Sequence, residues 1–260
     1  MFLCAVNIVF EYIKYKWNAK GRYGIHSPFV YDLTDKTFKI EIQKSDFTLL
    51  SETYKSLRNN KKIITIKDFG AGSHKLGNQR SIQQIFKISS SKGHYGKMLY
   101  QLSNYFQPKQ ILEFGTSLGI GTLHFHLGNP ESQITTIEAC PETLNFTREF
   151  LKDKVSKVIF IESTFSDFLN QISTEKYDLI FVDGHHDGKA TLDYMHKLEK
   201  HSHNDTIFIL DDIRWSDDMF ESWNILQKSD KFNVSIDLFR MGILIPRKQQ
   251  VKEHFILRGK

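Results

Sequence analysis

The sequence predicts an α/β fold: a doubly wound, mostly parallel sheet of seven strands with an N-terminal, mostly helical extension. Three observations lead there. From residue 110 onward, short β-rich apolar runs alternate with helical patterns. Those runs are apolar nearly throughout, as strands covered on both faces require. The last two runs are separated by about one residue, too few for a helical crossover, so they should form an antiparallel hairpin at a sheet edge.

Taken in order, residues 1–109 carry helical patterns at 2–17, 29–41, 46–58, 79–88 and 94–106, with one β-like run at 61–67. The opening stretch from Met1 to Phe10 is apolar but short. No basic residue precedes it, and Glu11 and Lys14 follow. It reads as a helix with one apolar face on the protein body, not as a signal peptide or as a span of roughly 20 residues. No other apolar run approaches that length. A soluble, cytoplasmic protein with no membrane partner is the expectation. Strands follow at 110–115, 133–138, 157–162, 177–183 and 206–212, with helices at 119–127, 142–153, 166–172 and 189–201 between them. A helix near 217–228 precedes the hairpin strands 232–238 and 240–246. With no linker rich in Pro, Gly or Ser and no repeat, the chain divides into a helical extension or cap, 1–109, and a sheet domain, 110–260.

Composition narrows the class. The 21 Phe, 10 Tyr and 3 Trp supply ample core, which excludes a disordered chain. Two cysteines, Cys4 and Cys140, exclude a disulfide scaffold and favour a reducing compartment. Charge is uneven: residues 1–110 hold 18 Lys+Arg against 7 Asp+Glu, a net of +11, and residues 111–260 hold 17 against 23, a net of −6. A basic front half invites a nucleic-acid reading. However, its cations are scattered through helices, which reads as solvated faces.

The glycine-rich turn after the first sheet strand is the most informative local feature. A dinucleotide fingerprint needs G-x-G-x-x-G. Counting from Gly115, the third and sixth places are Ser117 and Ile120; counting from Gly119, the sixth is His124. Both frames fail, which disfavours a nicotinamide dehydrogenase. There is no phosphate-cradling G-x-x-x-x-G-K-[ST] loop either. Glu113, Gly115, Thr116 and Gly119 instead spell E-x-G-T-x-x-G, which resembles the turn of class I S-adenosylmethionine-dependent methyltransferases.

The resemblance continues in register over residues 110–246, closest to the catechol and caffeoyl-CoA O-methyltransferase branch. It implies a Rossmann-like methyltransferase fold and S-adenosylmethionine as cofactor. The turn residues Glu113, Gly115, Thr116, Ser117 and Gly119 would line the cofactor. Glu138, 25 residues after Glu113 at the next strand tip, would accept from the ribose hydroxyls, with Ala139 beside it. Ser163, Thr164 and Phe165 fall where the family contacts adenine, and Asp183 joins the cofactor set. A second cluster, Asp68 to Ser73, resembles such a turn but lacks a following strand that ends in an acid; it reads as a loop, with a lid or substrate role as the alternative. The segment Tyr23 to Phe29 is similar to the N-terminal region of uncharacterised bacterial methyltransferases.

Methyl transfer to a hydroxyl also requires that the acceptor lose a proton, to a base or beside a Lewis-acidic metal. The same resemblance implies a divalent metal, Mg²⁺ or another hard cation, on Asp183, Asp211 and Asp212, with Asp in place of the family's Asn. It places His186 where the branch has its lysine base, with Lys189 nearby, so Asp183 and His186 are the catalytic candidates. Ordinary roles compete: Asp212 as a helix cap, His185 and His186 as loop residues, Trp215 and Trp223 as core instead of acceptor pocket. A nucleic-acid base methyltransferase is disfavoured, because Asp183-Gly-His-His stands where that class carries Asp/Asn-Pro-Pro-aromatic. The remaining alternative is a non-catalytic S-adenosylmethionine-binding protein. The basic half suits an anionic small-molecule acceptor. The oligomeric state is left open, with a homodimer among the options.

Overall fold

The computed structural model describes residues 2–21, 24–66, 79–88 and 91–258, with side chains from residue 8 onward. Along the chain the elements are α1 (Phe2–Asn18), α2 (Pro28–Thr37), α3 (Lys44–Asn59), β1 (Ile63–Thr65), β2 (Gln79–Ser81), α4 (Ile82–Ile88) and α5 (Gly93–Phe106). The sheet segment then runs β3 (Gln110–Phe114), α6 (Ile120–Gly128), β4 (Gln133–Glu138), α7 (Pro141–Leu151), β5 (Val158–Glu162), α8 (Phe165–Gln171) and β6 (Leu179–Val182). It finishes with α9 (Gly188–Leu198), β7 (Ile207–Leu210), α10 (Asp217–Lys228), β8 (Val234–Asp237), β9 (Gly242–Ile245) and β10 (Glu253–Ile256). Eight of these strands build the mostly parallel α/β sheet of a Rossmann-like fold. The Asp68–Ser73 cluster and Tyr23 lie outside the described residues.

Contacts group the chain into two units, residues 36–171 and residues 1–35 with 172–260. In the first, β3, β4 and β5 lie side by side and parallel, with Leu112 opposite Thr135 and Glu138 opposite Glu162. The short β1 and β2 pair antiparallel. Leu57, Ile64, Ile82, Ile85 and Phe86 from α3, β1 and α4 bury themselves together with Leu118 and Ile120 of the glycine turn. The front helices are thereby part of what shapes that turn. Helix α6 is buried on nearly every residue, including His124. Burial pushes the His124 imidazole down to about 3, and the Tyr54 hydroxyl lies 2.7 Å from its Nε2.

In the second unit the order is β10-β8-β9-β7-β6. Strands β6 and β7 are parallel and wholly buried, while β9 runs antiparallel to both β7 and β8. The expected hairpin is present, but β10 pairs parallel with β8 and takes the edge. That eighth strand lacks the continuous apolar run that marks the others: only Phe255 in it is fully buried. At two helix starts a side chain satisfies a free N–H group: Asp187 accepts from Ala190 N–H to open α9, and Ser216 accepts from Met219 N–H to open α10. In the segment Gly24 to Phe29, Ser27 precedes the N1 proline of α2 and its Oγ accepts from Gln250 Nε2 at 2.7 Å. The Arg247 guanidinium lies 3.7 Å over the Phe29 ring. The segment is thus tied down by packing.

One buried ion pair locks the hairpin. Arg214 donates to both oxygens of Asp237, at 2.8 and 2.6 Å, and to the Phe239 carbonyl at 2.6 Å. The Phe220 and Phe239 rings flank the guanidinium. Both side chains are nearly inaccessible to water. Asp237→Ala would strand a buried cation, so the expected cost is about 3–5 kcal/mol in urea unfolding. A loss under about 1 kcal/mol, the size of an exposed pair, would contradict this role.

Candidate functional site

The β3–α6 turn and the tip of β4 bring one group of candidate residues together. Gly115 (φ 101°) and Gly119 (φ 70°) take left-handed conformations that let the backbone turn sharply. A Cβ on Gly119 would lie 2.4 Å from Leu151 and 2.7 Å from Thr147, so α7 presses directly on the turn. The N–H groups of Gly115 and Thr116 both donate to the Ile137 carbonyl. Ser117, also left-handed, donates its N–H to Glu138 Oε2 at 3.0 Å, and its carbonyl accepts from Thr147 Oγ1 at 2.6 Å. Cys140 N–H donates to Glu138 Oε1 at 3.0 Å. The half-buried Glu138 carboxyl is raised by burial, and the N–H groups of Cys140, Ser117 and Ala139 oppose that rise.

Glu113 is placed differently. It is buried under the turn, and its Oε2 accepts from Thr122 Oγ1 at 2.5 Å and Thr136 Oγ1 at 2.8 Å. Thr136 Oγ1 in turn lies 2.6 Å from Thr116 Oγ1. This chain of hydroxyls ties β3, β4, α6 and the turn together. Beyond β5, Ser163 N–H donates to the Glu138 carbonyl, Thr164 caps α8 through Asp167, and Phe165 stacks on Phe114 with centroids 4.7 Å apart.

A separate group of candidate residues lies at the tips of β6 and β7. Ligand atoms of Asp183, His186 and Asp212, all half-buried, fall within 4.8 Å of one another. His186 Nε2 is 3.9 Å from Asp212 Oδ2. His185, His186 and Asp212 all have positive φ, a strained conformation that clusters at functional loops. Asp211 is not in this group. It is buried, and its Oδ2 accepts from Arg240 Nη2 at 3.0 Å, while Arg240 Nε lies 2.8 Å from Asp212 Oδ1. The same guanidinium therefore spans both acids. Trp215 is exposed, with its ring tilted 31° to that of His186 at 5.2 Å; Trp223 is core, packed against Gly242. Lys189, at the start of α9, is exposed. Arg240 escaped the sequence reading because only the β7–β9 register, Leu210 opposite Gly242, brings it beside the β7 tip.

Residues 112–213 match the family model described as a methyltransferase domain. An S-adenosylhomocysteine-bound methyltransferase of Podospora anserina has TM-score 0.58 at 16% identity, covering 88% of this chain and 97% of its own. The O-methyltransferase TomG of Streptomyces achromogenes, involved in tomaymycin synthesis and solved with S-adenosylmethionine, has TM-score 0.55 at 15% identity, covering 82% and 95%. An O-methyltransferase of Bacillus cereus in complex with S-adenosylhomocysteine has TM-score 0.52 at 15% identity, covering 82% and 94%. At these identities the likeness is one of fold. No curated protein sequence matches the chain.

Glu113 supplies a test of the turn. Burial pushes its carboxyl up to about 7, against the pull of the Thr122 and Thr136 hydroxyls. A raised acid binds its proton more tightly when folded. Its contribution is therefore complete below the ordinary carboxylate range and is lost as pH rises through about 7. Glu113→Gln keeps the side chain's shape but cannot titrate. From about pH 5 to about pH 8 the parent should lose melting temperature relative to this variant. Parallel pH profiles would refute the assignment.

Proposed function

We propose that the chain carrying this methyltransferase domain transfers a methyl group from S-adenosylmethionine to a hydroxyl of a small-molecule acceptor. The observation that carries the acceptor side of this reading is the convergence of Asp183, His186 and Asp212 at the β6 and β7 tips. The cofactor side rests on the turn of Gly115 to Gly119 and the half-buried carboxylate of Glu138 beside it. S-adenosylmethionine would supply an activated methyl on its sulfonium, passed in line to the acceptor oxygen as the C–S bond breaks and S-adenosylhomocysteine leaves.

In this reading Glu138 accepts from the two ribose hydroxyls while its N–H partners keep it in place. The backbone of Gly115, Thr116, Ser117 and Gly119, braced by Glu113, lets the cofactor approach closely. Ala139, Ser163, Thr164 and Phe165 line the adenine side. Asp183 holds the methionine end and orients the acceptor loop. His186 takes the acceptor's proton at Nε2. Asp212, 3.9 Å away, favours the imidazolium so formed. The Trp215 ring lies beside that imidazole, 5.2 Å away. Residues 1–109 serve as the helical cap and 110–260 as the S-adenosylmethionine-binding domain, a functional division distinct from the contact grouping. The cap's excess of cations favours an anionic acceptor.

A metal-assisted variant of this chemistry has its own support. Asp183, His186 and Asp212 offer two carboxylates and one imidazole at ligating separation, a donor set that suits Mg²⁺ or Mn²⁺. A cation there would lower the pKa of the acceptor hydroxyl as a Lewis acid. The two variants exclude each other at His186, since a neutral imidazole has one lone pair for a proton or a metal. With Asp211 engaged by Arg240, it is His186 that completes the set in its place.

Saturating S-adenosylmethionine should raise the melting temperature and NAD(H) should not; at about a hundred times Kd the stabilisation is about 2.7 kcal/mol. Glu138→Ala should weaken that binding at least about tenfold, the loss of one charge-assisted hydrogen bond. No shift with S-adenosylmethionine, or unchanged affinity in Glu138→Ala, would refute the cofactor assignment. Release of S-adenosylhomocysteine with a panel of hydroxylated aromatic acids then separates the variants. Turnover that survives exhaustive chelation but falls at least about a hundredfold in His186→Asn identifies the base. Turnover abolished by chelation and restored by Mn²⁺ identifies the cation.

A further inference from the structure

Helix α1 presents an apolar stripe to water. Val9, Phe10, Ile13 and Trp17 are 58, 64, 58 and 88% exposed. At 100° per residue they occupy about 100° of one face. The other face is committed to the protein. Tyr15 is buried and its hydroxyl donates to the Leu257 carbonyl. The rings of Tyr12 and Tyr15 rest against Phe239, at 4.9 and 5.2 Å. The helix is therefore anchored with its apolar side outward, and its stripe is a surface that monomeric proteins seldom leave bare.

Its borders identify the occupant. On the helical wheel Lys16 flanks the stripe beside Val9, Lys14 flanks it beside Phe10, and Lys20 follows at the C-terminal end. Arg258 joins that end through Nε to the Ala19 carbonyl, at 3.0 Å. Lysines on both borders of an apolar face, with a tryptophan at one end, are the arrangement of a helix lying in a lipid interface. There the stems follow the acyl boundary and the ammonium groups meet anionic headgroups. A second copy of the chain fits less well. Stripe against stripe would bring Lys14 and Lys16 towards their own counterparts. The only acid over residues 8–20, Glu11, already lies 3.9 Å from its own Lys14.

We infer that α1 docks the protein onto an anionic lipid surface, through Val9, Phe10, Ile13 and Trp17 with Lys14, Lys16 and Lys20 at the rim. The expectation of no membrane partner rested on the length that a span requires. Among the described residues no helix is long and apolar enough to cross a membrane. Lying on the surface demands neither property.

The test is co-sedimentation of the full chain with vesicles of phosphatidylcholine alone and of phosphatidylcholine mixed with phosphatidylglycerol, alongside light scattering without lipid. The expected result is binding to the anionic vesicles, weakened by added salt. Ile13→Glu with Trp17→Glu should weaken it at least about tenfold. Each of Lys14→Gln and Lys16→Gln should weaken it about fivefold. The melting temperature of each variant reports folding, and Trp17→Ser replaces the double variant if that one fails to fold. Three outcomes overturn the inference: no binding to phosphatidylglycerol vesicles, binding unchanged in the folded stripe variants, or a lipid-free dimer that the stripe variants dissociate while vesicles recruit nothing.

Discussion

The N–H groups of Ser117 and Cys140 converge on the two oxygens of Glu138, and the shape of the glycine turn follows from holding that carboxylate in place. An acid at a strand tip would ordinarily turn outward to water. Here two peptide dipoles compensate its partial burial, so it stays at the turn with lone pairs left for a ligand. Beneath it, Glu113 joins Thr122, Thr136 and Thr116 in one hydrogen-bonded chain. From the far side, Leu118 and Ile120 are gripped by Leu57, Ile82 and Phe86. The turn is thus fixed by polar bonds on one side and apolar packing on the other. That is the preorganisation a site needs if binding is not to be offset by ordering its own loop.

At the β6 and β7 tips the governing constraint is charge balance. Three carboxylates, Asp183, Asp211 and Asp212, follow two adjacent buried strands, and leaving them together without a cation would be costly. Arg240 resolves part of this by spanning Asp211 and Asp212. Asp212 keeps its second oxygen towards His186. The positive φ values of His185, His186 and Asp212 indicate that this arrangement is held against local backbone preference.

Much of this was legible from residue order. The strands from β3 to β9 were readable because buried parallel strands are continuous apolar runs, and Glu113, Glu138, Asp183 and Asp212 because acids at strand ends follow from that pattern. Spacing alone could not tell an acid presented at the turn from one buried under it. Glu113 and Glu138 look alike in sequence, and only the threonines around Glu113 separate them. Arg240 was illegible because its position depends on hairpin register across a left-handed Phe239. Strand β10 was illegible because Glu253 and His254 interrupt its apolar pattern and only Phe255 is fully buried. The charge change near residue 110 is a true property of the sequence, yet Leu57 and Phe86 on its basic side pack with Leu118 and Ile120 on its acidic side.

The proposed function requires that the turn of Gly115 to Gly119, with Glu138, bind the adenosyl cofactor. Native mass spectrometry of the purified chain after incubation with S-adenosylmethionine tests it most directly. The expected result is one added mass per chain, equal to S-adenosylmethionine or S-adenosylhomocysteine, displaced by excess S-adenosylhomocysteine and unaffected by nicotinamide nucleotides. A chain that stays bare at saturating S-adenosylmethionine, or that takes up a nicotinamide nucleotide in its place, would contradict it.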